Sequence, residues 1–120
     1  MTKFKSYKEL KIWQKGIVIV LYTYELTALF PKDERFGLSS QMKRSAVSIP
    51  SNIAEGWGRA SKKSFIHFLK IARASLLELE TQVQIAGLLS FIEETKEKRI
   101  KLLIDEESKM INSFIQSINH

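Results

Sequence analysis

The sequence predicts an all-α fold, an antiparallel up-and-down four-helix bundle with its second helix kinked at Pro50. Three observations predict it. Apolar residues recur at three- and four-residue steps in four segments, of which the second is shorter and interrupted by Pro50. The breaks between segments fall at Pro31, at Gly56 and Gly58, and at the charged stretch 93–99. No alternating strand pattern, internal repeat or low-complexity tract competes. With 120 residues, 44% of them hydrophobic, the chain fits one domain spanning 1–120, and helices are expected near 7–30, 36–57, 61–90 and 94–118.

In the first segment Leu10, Trp13, Ile17, Val20, Tyr24 and Ala28 form a stripe on one helix face. Ile12, Ile19 and Leu26 form a second stripe at sevens, so this helix is apolar on more than the side one partner covers. Pro31 ends it, because the residue before a proline is pushed out of the α region. The second segment starts near Leu38 with Ser39 as a cap, and Leu38, Met42, Ala46, Ile49 and Ile53 are its buried face. Pro50 removes a backbone donor and crowds the preceding turn, which predicts a kink near Val47–Ile49.

Ser61 caps the third helix, whose apolar positions alternate strictly in fours and threes: Phe65, Leu69, Ala72, Leu76, Leu79, Val83, Ala86 and then Ser90. That spacing is a bundle seam. Leu77 and Leu88 fall outside it, as Ile12, Ile19 and Leu26 do in the first helix, and this surplus of apolar surface predicts a cyclic homo-oligomer. Glu93, Glu94 and Glu97 open the fourth helix, where the N-terminal dipole favours anions. Ile100, Leu103, Ile104, Met110, Ile111, Phe114, Ile115 and Ile118 give it a wide apolar face.

Charge is unevenly distributed. The net formal charge is +6, but residues 1–73 carry a local +9 and residues 74–120 a local −3. On the outer side of the third helix Lys63, His67 and Lys70 follow one another at helical steps, Lys62 and Arg73 flank them, and no acidic residue occurs from Gly56 through Leu77. Such a patch suits a polyanion, with nucleic acid the commonest one. Lys43, Arg44 and Arg59 on the second segment extend it. There Arg44, Ser48, Asn52, Glu55 and Arg59 make a polar ladder with two readings that can hold together. In one, Glu55 pairs an arginine and Asn52 satisfies backbone freed by Pro50; in the other, the arginines belong to the anion-binding surface.

Other chemistry has little raw material. With no cysteine and only His67 and His120, the usual nucleophile–base pairs cannot be assembled, so no enzyme is expected. Neither histidine has a glutamate three residues before it, as a bundle di-metal site needs, and no cofactor is implied. His67 is read as solvent-exposed. Gly56-Trp57-Gly58-Arg59 lacks the strand and the Gly-Lys-Ser/Thr ending of a phosphate loop and is read as a helix exit. The longest apolar run, Ile17 to Tyr22, is six residues, which excludes a membrane span, and a cytoplasmic protein is expected.

The segment Ser48-Ile49-Pro50-Ser51-Asn52-Ile53-Ala54-Glu55-Gly56, with Leu10-Lys11-Ile12-Trp13-Gln14-Lys15, Phe30-Pro31, Glu34, Gly37-Leu38 and Leu76-Leu77-Glu78-Leu79-Glu80-Thr81-Gln82, resembles the bacterial four-helix-bundle family of 23S rRNA intervening-sequence proteins. The resemblance covers about residues 5–92; Ala74-Ser75 stand where the family pattern has Gly-Ser. It implies a homopentamer of bundles, encoded in some bacteria within rRNA gene insertions, without established enzymatic activity and without being a component of the ribosomal subunit. The chain is similar, too, to the accessory protein of diversity-generating retroelements, a pentameric bundle whose basic surface binds nucleic acid and a reverse transcriptase. The reading preferred at this point is a non-enzymatic oligomer that binds structured RNA or DNA through Lys43, Arg44, Arg59, Lys62, Lys63, Lys70 and Arg73. The alternative is a structural or protein-binding scaffold; a nuclease or hydrolase is the weakest reading.

Overall fold

A computed structural model describes residues 4–119; His120 and the first three residues lie outside it. The described chain forms four α-helices and no strand: α1 Lys11–Thr27, α2 Leu38–Trp57, α3 Lys62–Leu88 and α4 Glu94–Asn119. Each packs against its two sequence or ring neighbours, α1 closing the ring on α4, and the diagonal pairs make no close backbone approach. Short connections between long helices impose the antiparallel up-and-down arrangement.

The helix starts show how local chemistry sets the bounds. A single 3₁₀ turn, Tyr7–Glu9, precedes α1: the Ser6 hydroxyl accepts from Lys8 N at 3.1 Å and the Glu9 carboxylate from Ser6 N at 3.1 Å. The first helix expected from residue 7 is therefore two elements, divided at Leu10, whose backbone is extended. Ser39 is not the cap of α2. It lies buried in the first turn, and the Glu34 carboxylate accepts from Leu38 N at 3.2 Å instead. Ser61 does cap α3, accepting from Ser64 N at 3.1 Å. That helix ends at Leu88 rather than continuing to Ser90, which takes the left-handed conformation (φ 62°) while Phe91 N reaches back to Ala86 O at 2.9 Å. Phe91 and Ile92 then pack inward, the Phe91 ring 5.4 Å from that of Phe30.

The α3 seam is buried as expected, from Phe65 through Leu69, Ala72, Leu76, Leu79 and Val83 to Ala86. Leu10 is buried as expected, but along α1 itself the two stripes are exchanged. Ile12, Ile19 and Leu26, expected on the outside, are core residues, whereas Trp13, Ile17 and Val20 are half-buried and Tyr24 and Ala28 exposed. The buried set reads Ile12, Gly16, Ile19, Thr23, Leu26 and Phe30, the same alternation of fours and threes as in α3. Thr23 and Thr27 enter the core because each hydroxyl donates to a carbonyl of its own helix, Ile19 O at 2.7 Å and Thr23 O at 2.9 Å.

Helix α2 runs unbroken through Pro50, which is buried. Its ring is accommodated opposite Gly16 of α1, where a Cβ would come within 3.3 Å of the proline. Asn52 does not reach the carbonyl of Ala46, the one that Pro50 leaves without its helical donor. Its amide donates to Ser48 O at 2.8 Å and Ser48 Oγ at 2.9 Å, and Ser48 in turn shares a 2.8 Å hydrogen bond with Ser75 of α3. The middle of the ladder is thus a polar link between α2 and α3. Ala74, where the resemblance implies glycine, is exposed and takes no part in that link. Gly56 has a packing reason: a Cβ would lie 2.8 Å from both Phe65 and Phe68, so only glycine lets the end of α2 approach the start of α3 this closely.

Candidate nucleic-acid interface

Ser61 fixes the first turn of α3, and thereby the direction of every basic side chain that follows. Lys62 and Lys63 stand in that turn, with no acidic residue beside them, at the helix end whose dipole is already positive. His67 and Lys70 continue the face, and His67 is exposed as expected. With Ile66 and Asn119 at the end of α4, these side chains line a groove of about 430 Å³. Among the described residues none of Lys62, Lys63 and Lys70 has a carboxylate within ion-pair distance, whereas Lys98, Lys101 and Lys109 of α4 each pair with the acid four residues before, at 3.2, 2.7 and 3.1 Å. Positive charge uncompensated by any described carboxylate therefore gathers at this end of the bundle.

The other expected residues divide. Arg59 stays at this end: it pairs with Glu55 at 3.5 Å, stands 4.7 Å over the Phe68 ring and lines an adjoining hollow of about 710 Å³ with Lys62 and Phe65. Arg73 lies farther along α3, its guanidinium held by the Asn112 side chain of α4 at 2.6 Å. Lys43 and Arg44 do not join the patch. Arg59 lies just past the end of α2, and the thirteen residues of helix from Arg44 to Trp57 already span about 20 Å at 1.5 Å per residue. Lys43 and Arg44 instead share a second groove, near the α1–α2 turn, with Tyr24, Arg35 and Phe36. The expected single surface is two cationic clusters.

Sequence reasoning passed over Glu107. It is wholly buried, and neither carboxylate oxygen has a hydrogen-bond partner. Burial raises its pKa from 4.5 to about 8, a shift that the positive charge of Lys15 opposes. Lys15 itself pairs with the neighbouring Glu106 at 2.7 Å. A Cβ on Gly16 would lie 3.4 Å from Glu107 Oε2, which places the acid against α1 close to Pro50. Its position was legible, since Ile100, Ile104, Glu107, Ile111 and Ile115 follow seam spacing.

Among the described residues no group of three His, Asp or Glu side chains could hold a metal ion, and no helix is long and apolar enough to cross a membrane. The model of the 23S rRNA-intervening sequence protein family matches residues 8–113, well into α4 and beyond the stretch in which single motifs carry the resemblance. The fold is similar to the crystal structure of a protein of unknown function from the S23 ribosomal protein family of Bacteroides thetaiotaomicron VPI-5482, at 24% identity and a TM-score of 0.81 over 88% of this chain and 95% of that one. No protein with a curated description matches.

Proposed function

The chain belongs to the 23S rRNA-intervening sequence protein family, and from that premise we propose that it is a non-enzymatic oligomer that binds nucleic acid, structured RNA foremost, by phosphate contacts at the start of α3. The observation that carries the reading is a set of three lysines, Lys62 and Lys63 in the first turn of α3 and Lys70 two turns on, that have no carboxylate partner among the described residues and line a groove with no described acidic side chain. Like charges so placed repel one another, and a polyanion relieves the repulsion. The oligomer is favoured by a separate observation: Leu77 and Leu88 on the outer face of α3 are 63% and 76% exposed, and Leu21 and Leu29 of α1 and its following turn are similarly bare. The family resemblance suggests five subunits, and a ring would multiply the cationic groove and gain avidity without new contacts.

Two measurements test this. Static light scattering at micromolar concentration gives a multiple of the 13.9 kDa chain mass; a particle of that mass alone rejects the oligomer. Binding to a labelled RNA hairpin and a DNA duplex, followed across a salt series, has a steep slope, and the double substitution Lys63→Glu/Lys70→Glu weakens binding by a similar factor on unrelated sequences. It lowers the slope by about two, one for each lost phosphate contact, and leaves the particle mass unchanged. A double variant that binds as well as the parent transfers the argument to the scaffold reading, in which the lysines serve solubility alone.

A further inference from the structure

We infer that the second cationic groove, at the α1–α2 turn, takes an unpaired base of a single-stranded segment, stacked on Phe36 with its flanking phosphates on Arg35, Lys43 and Arg44. The inference rests on the nucleic-acid reading above but concerns different residues. Phe36 is 87% exposed, the barest large apolar side chain among the described residues. Its place in the turn is built: a 3₁₀ turn, Lys32–Glu34, leads into it, and Gly37 N donates to Glu34 O at 3.0 Å while the Glu34 carboxylate receives Leu38 N at 3.2 Å. The ring is thus held out in water by hydrogen bonds on both sides of the sequence. Among the described residues its one ring or ion contact is with a cation, the Arg35 guanidinium 5.3 Å from its centroid.

A second ring faces the same hollow. Tyr24 is half exposed there with the Lys43 ammonium 5.0 Å over it. The hollow measures about 590 Å³, within the range of small-ligand sites, and no acidic side chain lines it. Aromatic faces beside uncompensated cations are the recognition chemistry of a base with its phosphates, and a base can offer its face only when it is out of a duplex. A partner protein would have to bring acidic groups for three cations as well as an apolar surface. Such a contact is made an outcome of the test.

The test compares a labelled 20-nucleotide single strand with a blunt duplex of equal length, at one ionic strength, on the full chain. Phe36→Ala weakens the single strand by about 5- to 150-fold and leaves duplex binding within twofold, because stacking is lost and no phosphate contact is. Phe36→Trp restores single-strand binding. The Lys63→Glu/Lys70→Glu variant lowers both, so loss of the α3 site and loss of the stacking site are distinguishable. Equal effects of Phe36→Ala on both probes, or none, overturn the proposal while the α3 reading stands; a parent that binds neither probe overturns both. A fall in particle mass on Phe36→Ala assigns the groove to contact between copies and overturns it, and full displacement of the strand by millimolar AMP assigns it to a free nucleotide and overturns it likewise.

Discussion

Glu107→Met raises the melting temperature, by roughly 10 °C at pH 7 for a chain of this length, and the gain grows as pH rises from 4.5 towards 8. The unfolded chain releases this proton near pH 4.5, while the folded chain keeps it to about pH 8. Between those values unfolding liberates a proton, so rising pH draws the molecule towards the unfolded state by up to ~1.4 kcal/mol per pH unit. The accumulated cost at pH 7 is about 3 kcal/mol; below pH 4.5 it is absent, and above about 8 it is constant. Methionine fills a comparable volume without a proton to lose. Glu107→Gln removes the titration and keeps the shape, so its stability follows pH less steeply over the same window. Thermal unfolding at fixed protein concentration from pH 4 to pH 9 decides the matter, and parallel curves for the parent and both variants would show that the carboxyl is not held protonated by the core.

Leu76→Ala costs about 2–5 kcal/mol. Leu76 is 1% exposed at the centre of α3, the helix that packs against both α2 and α4, so the space it leaves is enclosed by side chains from more than one helix and collapses only in part. In denaturant the midpoint falls while the slope stays that of the parent, because the native and unfolded surfaces are little altered. An unmoved midpoint would mean that the α3 seam is not where the core is held. Leu77, one residue on and 63% exposed, supplies the internal comparison: its truncation opens no enclosed cavity and shifts the midpoint far less.

These two residues also mark where sequence reading succeeds and fails. The α3 seam was legible because seven of its positions are apolar and one hand of the helix carries nearly all of them. Helix α1 is apolar on two sides, so periodicity alone ranked Trp13, Ile17, Val20 and Tyr24 above the true core stripe, in which Gly16 and Thr23 interrupt Ile12, Ile19 and Leu26. In α4 the same kind of interruption hid Glu107 between Ile104 and Ile111. Counting by residue type treats glycine, threonine and glutamate as gaps. The fold does not, because a threonine hydroxyl is satisfied within its own helix, a glycine admits a neighbouring proline ring, and an acid can be buried in its neutral form.

What the sequence by itself determined is the helical content, the number and order of helices, the family, and the α3 lysine face, since each depends on spacing within a single helix or on a motif read along the chain. Which face of α1 meets the core, the seating of Pro50 against Gly16, and the separation of Lys43 and Arg44 from the α3 lysines were decided by tertiary structure alone. The physical reason is common to all three. Helical periodicity gives the angle of a side chain about its own axis, but the partner helix decides which of two apolar faces is covered, and distance along a rod of 1.5 Å per residue separates charges that lie on the same face.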